Sequence, residues 1–272
     1  MTGILRIARN VSNLRRATAY YEALGFRSSD TAKSDPGLAA LFGIAHVHSQ
    51  MLTLGGQMLE LTQCDPPGAP FPPDAASNDL DFQHIAILTD DIATAQTRAL
   101  NAGGHPITAN GPQRLPPEAG GVIAYKFRDL DGHPLEFLQF PDRVSASGYD
   151  HTAISVASIA RSIAFYARFG FEIAARQTNT GQSQACLDAL LNPVVDVVAL
   201  KSNDDAPHLE LLHYQSPPGR PSHWSLNDLA ADRLILGAAG GPAIQRDPDG
   251  HIILLSGRAA DGDAAFDTAR GS

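Results

Sequence analysis

The sequence predicts an α+β protein made by repeating one unit of strand, helix and further strands four times, with the last copy truncated. Three observations lead there. Arg6 to Phe26, His84 to Gly104 and His151 to Phe171 align without gaps, and in each segment nineteen positions separate the opening residue from a glycine (Gly25, Gly103, Gly170). Each segment is followed by a strand-like run carrying a glutamate: Met58-Leu59-Glu60-Leu61, Pro134-Leu135-Glu136-Phe137 and His208-Leu209-Glu210-Leu211. The turn Asp129-Leu130-Asp131-Gly132-His133 recurs as Asp247-Pro248-Asp249-Gly250-His251. A fixed internal period marks a repeated supersecondary unit.

Within each of the first three copies the elements have local reasons. Ser12 or Asn13, Asp90 or Asp91, and Ser158 can accept a hydrogen bond from the first free amides of a helix. Leu14, Ala17, Tyr21 and Leu24, like Ile159, Ile163, Tyr166 and Phe169, recur at three- and four-residue steps, the pattern of a helix with one apolar face. The glycine then permits the left-handed conformation that ends many helices, and Phe26 or Phe171 begins the returning strand. Tyr20-Tyr21 and Phe165-Tyr166 read as core packing. In the fourth copy Asp232-Arg233-Leu234-Ile235-Leu236 opens a strand, but too few residues precede its Asp-x-Asp-Gly-His turn for a full helix and middle strands. Arg233 stands at the histidine position and Leu254 at the glutamate position, so this copy offers no ligands.

The proline-rich stretch from Asp65 to Pro73 reads as a stiff linker, and Pro141 to Gly148 as a domain boundary. The expected domains are 1–142 (units one and two) and 147–258 (unit three and the truncated unit four), with 259–272 a flexible tail of small and acidic residues. The 272-residue chain is 43% hydrophobic and 18% charged, enough for two cores. A formal net charge of −9 disfavours nucleic acid or an anionic membrane as partner and leaves a small molecule as the default ligand. Neither a leader-like segment nor a membrane-length apolar run is evident, so the expected location is cytoplasmic. Cys64 and Cys186 form no CxxC pair and suggest neither a disulfide framework nor a cysteine zinc site.

A tandem βαβββ unit with histidine opening its first strand and glutamate in its last resembles the vicinal oxygen chelate superfamily, which includes glyoxalase I, extradiol dioxygenases, fosfomycin-resistance enzymes and metal-free bleomycin-resistance proteins. The resemblance covers about Ile4 to Ser256. It implies two glyoxalase-like domains in which pairs of units form curled mixed sheets around a pocket. It also implies that each unit offers two inward positions: Arg6 with Glu60, His84 with Glu136, His151 with Glu210, and Arg233 with Leu254. Pairing of neighbours would collect Arg6, Glu60, His84 and Glu136. Pairing of the second unit with the third would collect His84, Glu136, His151 and Glu210, a complete metal set. Pairing across the interface of a homodimer is a third arrangement.

Imidazole and carboxylate suit nickel, zinc, manganese, cobalt or ferrous iron, and four such ligands leave two octahedral positions for water or substrate. A divalent metal holding adjacent substrate oxygens would stabilise an enediolate or another oxyanion as a Lewis acid. The resemblance assigns proton transfer to Glu136 or Glu210, hence a lyase, isomerase or dioxygenase. The alternative is a metal-free binding or sequestering protein of the bleomycin-resistance type, with Arg6 and Glu60 contacting the ligand. Arg6 reads equally as a solvent-facing strand residue, and Arg233 reads better as one. His46 and His48 share a face of a solvated strand, and His133 and His251 read as turn residues. Lys126 and Arg128 alternate with Tyr125 and Phe127, giving that strand one charged face.

Overall fold

The computed structural model describes residues 3–29, 31–142, 147–202, 207–238 and 242–257. The tail expected at 259–272 and part of the expected boundary after Pro141 lie outside these residues. The opening strands are Ile4–Asn10, Gln83–Leu88, Tyr149–Ser155 and Arg233–Ala238. The closing strands are Gln57–Asp65, Pro134–Gln139, His208–Ser216 and Ile252–Gly257. Between them run the middle strands His46–Leu54, Ile123–Arg128, Val194–Lys201 and Ala243–Arg246. The fourth unit thus keeps one middle strand that its length did not promise.

Local chemistry sets the helices Leu14–Ala23, Ile92–Asn101 and Ile159–Ala167. Asn13, Asp91 and Ser158 cap them by accepting from the amides of Arg16, Thr94 and Arg161. The glycines that follow have φ of 107°, 105° and 83° at Gly25, Gly103 and Gly170, a region that residues with a Cβ seldom adopt. Tyr20, Tyr21 and Tyr166 are buried in the core, as expected. Among the described residues no helix is long and apolar enough to cross a membrane.

Two sheets result, and neither pairs unit one with unit two or unit three with unit four. The eight-stranded sheet pairs the opening strands of units one and four antiparallel, while the nine-stranded sheet does the same for units two and three. Each sheet therefore draws one unit from either side of the divide at 142 to 147. Along the opening strand of unit two, Ile85 and Ile87 join the main core with Ala95, Ala99 and Phe137, while Ala86 joins a separate cluster on the other face. Side chains alternate across a strand, so one face packs against helices and the other is left for a site.

Unit one meets unit two, and unit three meets unit four, through the Asp-x-Asp-Gly-His turns. Asp129 Oδ1 accepts from the amides of Asp131 and His133, at 3.0 and 2.9 Å, and Gly132 turns the chain at φ 101°. The other oxygen accepts from Tyr21 Oη at 2.8 Å, Asp131 accepts from Ser12, and His133 Nε2 donates to Asn10 O at 2.7 Å. Unit four repeats the clamp on unit three: Tyr166 Oη donates to Asp247 Oδ2 at 3.1 Å, the Ala157 amide donates to Asp249 at 3.0 Å, and His251 Nε2 donates to Ser155 O at 2.8 Å. The two histidines thus do more than complete a turn.

A buried charge cluster ties three units together. Asp232 lies 3.0 Å from Arg9 Nε and 2.9 Å from His133 Nδ1. Burial would lower the His133 pKa, but Asp232 and Asp129 outweigh it and hold it above its ordinary 6.5. Burial would raise the Asp232 carboxyl, yet His133 and Arg9 hold it below 3.8. The histidine's contribution to stability is therefore complete below pH 6.5 and lost as pH rises through its raised folded value. That of the aspartate is present above 3.8 and lost as pH falls through its depressed folded value. Urea unfolding across pH should show Asp232→Asn less stable than wild type by about 3 kcal/mol near neutrality, with the difference shrinking as pH rises above 6.5 and His133 loses its proton. An equal difference at every pH would contradict this account.

Candidate metal centre

The register of the nine-stranded sheet brings four sequence-predicted residues together. Antiparallel pairing sets His84 opposite Ala153 and His151 opposite Ala86. Parallel pairing sets Glu136 beside Ala86 and Glu210 beside Ala153. All four side chains then project from one face into a cavity of about 360 Å³. Of the arrangements open to the sequence, the chain adopts the pairing of unit two with unit three.

His84 Nε2 lies 3.0 Å from Glu136 Oε2, and His151 Nε2 lies 3.7 Å from that oxygen and 3.5 Å from Glu210 Oε2. Ligand atoms of His84, Glu136 and His151 fall within 4.8 Å of one another. His84 Nε2 and His151 Nε2 are buried, yet neither has a partner with hydrogen-bond alignment. Nitrogens that crowd a carboxylate without bonding to it suit donors arranged around a common point. Glu210 stands slightly apart, with its other oxygen 3.2 Å from His208 Nε2.

The electrostatics fit a cation there. Burial drives the His84 pKa down, Glu136 only partly opposing it, which favours the neutral form that can ligate. Burial would raise Glu136, but His84, Lys126 and His151 bring it down to about 2. Burial would lower His151 as well, yet Glu210, Asp150 and Glu136 push it up to about 9. Three carboxylates around one ring form a negative site, and a divalent ion would neutralise it in place of the ring proton. Neutral imidazole and carboxylate form a donor set for the ions expected above.

Several residues of this centre were not singled out as candidates from the sequence. Asp150 accepts from His151 Nδ1 at 3.1 Å, which turns Nε2 toward the carboxylates. His208 is paired across the strands with His151 and holds Glu210. Its signal was available, because it shares a strand face with Glu210 two positions on. Asp188 closes the helix Gly181–Asp188 and had no such signal. It accepts from Lys126 Nζ and Gln184 Nε2, both at 2.6 Å, and from Tyr214 Oη at 3.0 Å. Leu115, Val122, Leu138, Leu187, Val195 and Val197 complete an apolar wall.

Arg6 and Glu60 are not brought to this cavity. They lie in the other sheet, ion-paired at 2.6 Å. The register there is the same, with Ala8 beside both Arg233 and Glu60, and Ile235 beside Leu254. Arg233 is fully buried, donates to Asn10 at 2.6 Å and Thr62 at 2.9 Å, and lies under the Phe42 ring at 5.0 Å. The solvent-facing reading of Arg233 is thereby replaced: the guanidinium and the helix Pro36–Phe42 fill the place that the cavity occupies in the partner sheet. His46 and His48 are exposed strand residues, as expected.

The family model described as Glyoxalase/Bleomycin resistance protein/Dioxygenase superfamily matches residues 3–137 and 148–271. No curated protein matches significantly. Among solved structures, a V278E mutant of glyoxalase I from Zea mays is 18% identical with a TM-score of 0.61, over 94% of this chain and 92% of that one. Unmutated glyoxalase I from Zea mays is 17% identical with a TM-score of 0.60, over 94% and 92%. A putative dioxygenase from Bacillus subtilis is 12% identical with a TM-score of 0.55, over 95% and 86%. At these identities the likeness is one of fold, and the family assignment rests on the match to both halves of the sequence: the chain belongs to the glyoxalase/bleomycin resistance protein/dioxygenase superfamily.

Proposed function

We propose that the protein is a divalent-metal-dependent enzyme of the glyoxalase/dioxygenase type, a lyase, isomerase or dioxygenase acting on a small substrate with adjacent oxygens. One observation carries this reading: the ligand atoms of His84, Glu136 and His151 converge within 4.8 Å on the wall of a cavity large enough for a small molecule. His84, Glu136, His151 and Glu210 would hold the ion. When bound, it supplies Lewis acidity toward two neighbouring substrate oxygens.

The chain's own residues divide the remaining work. Glu136 sits between two imidazoles and is the firmly held ligand. Glu210 is anchored by His208 and its side chain is 21% exposed, against 6% for Glu136. Glu210 is thus the carboxylate with room to swing toward a substrate carbon and take its proton. Asp150 fixes the tautomer and direction of His151, as an outer partner does for a ligating imidazole. The apolar wall keeps bulk water from the reacting atoms.

Elemental analysis of protein purified without chelator should find one equivalent of a transition metal, and a chelator should remove it. His84→Ala should weaken binding by at least about tenfold. Wild type that holds no metal, and binds added metal no better than the variant, would make the protein a metal-free binder. The sealed site of the other sheet supplies the control. Arg233→Ala should lower the unfolding free energy by about 3 kcal/mol and leave the metal content unchanged; loss of metal there would show that the two sheets are not independent.

A further inference from the structure

Lys126 is the one polar residue at its place in the repeat. Each inward position of a closing strand pairs with one residue of the adjacent middle strand: Glu60 with Met51, Glu136 with Lys126, Glu210 with Ala199, and Leu254 with Ile244. Three of the four partners are apolar, so the sheet does not require a charge there. The second unit nevertheless carries a lysine, 3% exposed, in the cavity wall beside Glu136.

Fold stability does not account for it. An ammonium taken from water costs several kcal/mol, and a buried ion pair is often no more stable than a well-packed apolar pair. The chain nonetheless commits a set of buried groups to the lysine. Asp188 accepts from Nζ at 2.6 Å and is itself fixed by Gln184 and Tyr214, so unit three positions a charge carried by unit two. An ammonium has three donors. Among the described residues Asp188 takes one, which leaves two for a ligand.

We propose that Lys126 is a substrate-contacting residue whose ammonium donates to a negatively charged oxygen of the bound molecule, and that Asp188 positions it. The inference rests on the metal-dependent reading of the cavity. It narrows the substrate class to small molecules with adjacent oxygens of which one is ionised, or becomes so, next to Glu136. A charge-assisted donor in a dry site suits such an oxygen better than a neutral one.

Acetohydroxamate is a suitable probe, because it presents two adjacent oxygens and chelates as an anion. Wild type, Lys126→Met, Lys126→Arg and the double variant Lys126→Met/Asp188→Asn are loaded with zinc, and zinc uptake is measured first. Each is then titrated calorimetrically with acetohydroxamate and, separately, with imidazole as a neutral ligand of one donor atom. The double variant covers the case in which Lys126→Met alone leaves Asp188 uncompensated and fails to fold. The proposal expects zinc and imidazole affinities to be kept, acetohydroxamate affinity to fall by roughly tenfold or more in both methionine variants, and Lys126→Arg to retain most of it. Unchanged acetohydroxamate affinity in the zinc-loaded double variant would overturn the proposal. So would a parallel loss of zinc or imidazole binding, which would make Lys126 a structural half of the ion pair. Wild type that takes up no zinc fails at the first step, and the metal reading and this inference then fall together.

Discussion

The antiparallel pairing of Gln83–Leu88 with Tyr149–Ser155 is the constraint on which the candidate centre depends. Each strand arrives with its own closing strand already in parallel register, so one pairing aligns four inward residues from two units. A slip of that pairing by one residue would turn one unit's histidine and glutamate to the helix-covered face. The main core secures the register, since Ile85, Ile87 and Ile154 face the helices and cannot exchange places with His84 and Ala86 without exposing apolar surface.

Most of the repeat was legible in the sequence because its causes are local. Caps, glycine stops and the glutamate register follow from residues within one unit, and each glutamate stands beside the residue two positions beyond the opening one in all three units that carry it. Which units share a sheet was not legible, because a unit's opening strand offers the same edge to the opening strand of any other unit. The structure shows what settles it. Units one and two, and likewise three and four, already meet through the Asp-x-Asp-Gly-His turns, with Tyr21 on Asp129 and Tyr166 on Asp247, and this leaves their strand edges for the other pair. Alternation showed that Lys126 lies on a charged strand face but not what that face meets. Asp188 comes from a helix inserted in another unit, at a distance no local pattern encodes.

The two sheets share a register and differ in what fills their inner faces. Around Glu136 and Glu210 stand imidazoles, Lys126 and a wall of apolar side chains, which leave a cavity. In the other sheet, guanidinium groups stand where the imidazoles would be. Arg233 is long enough to reach Asn10 and Thr62 while lying under Phe42, so the space closes and its two terminal nitrogens are hydrogen-bonded within the chain. Changes of residue at three of the four equivalent positions (Arg6, Arg233 and Leu254), with one short helix, thus separate an open wall from a packed one.

The crossed arrangement has a consequence for symmetry. Two identical two-unit chains related by a twofold axis would form the same pair of sheets, but both cavities would then contain the same residues, and any substitution would appear in each. Joining the halves covalently removes that obligation. Arg6 and Arg233 can fill one inner face without altering His84 or His151, because every position now occurs once. The chain keeps the architecture of a symmetric dimer while its two inner faces carry different residues.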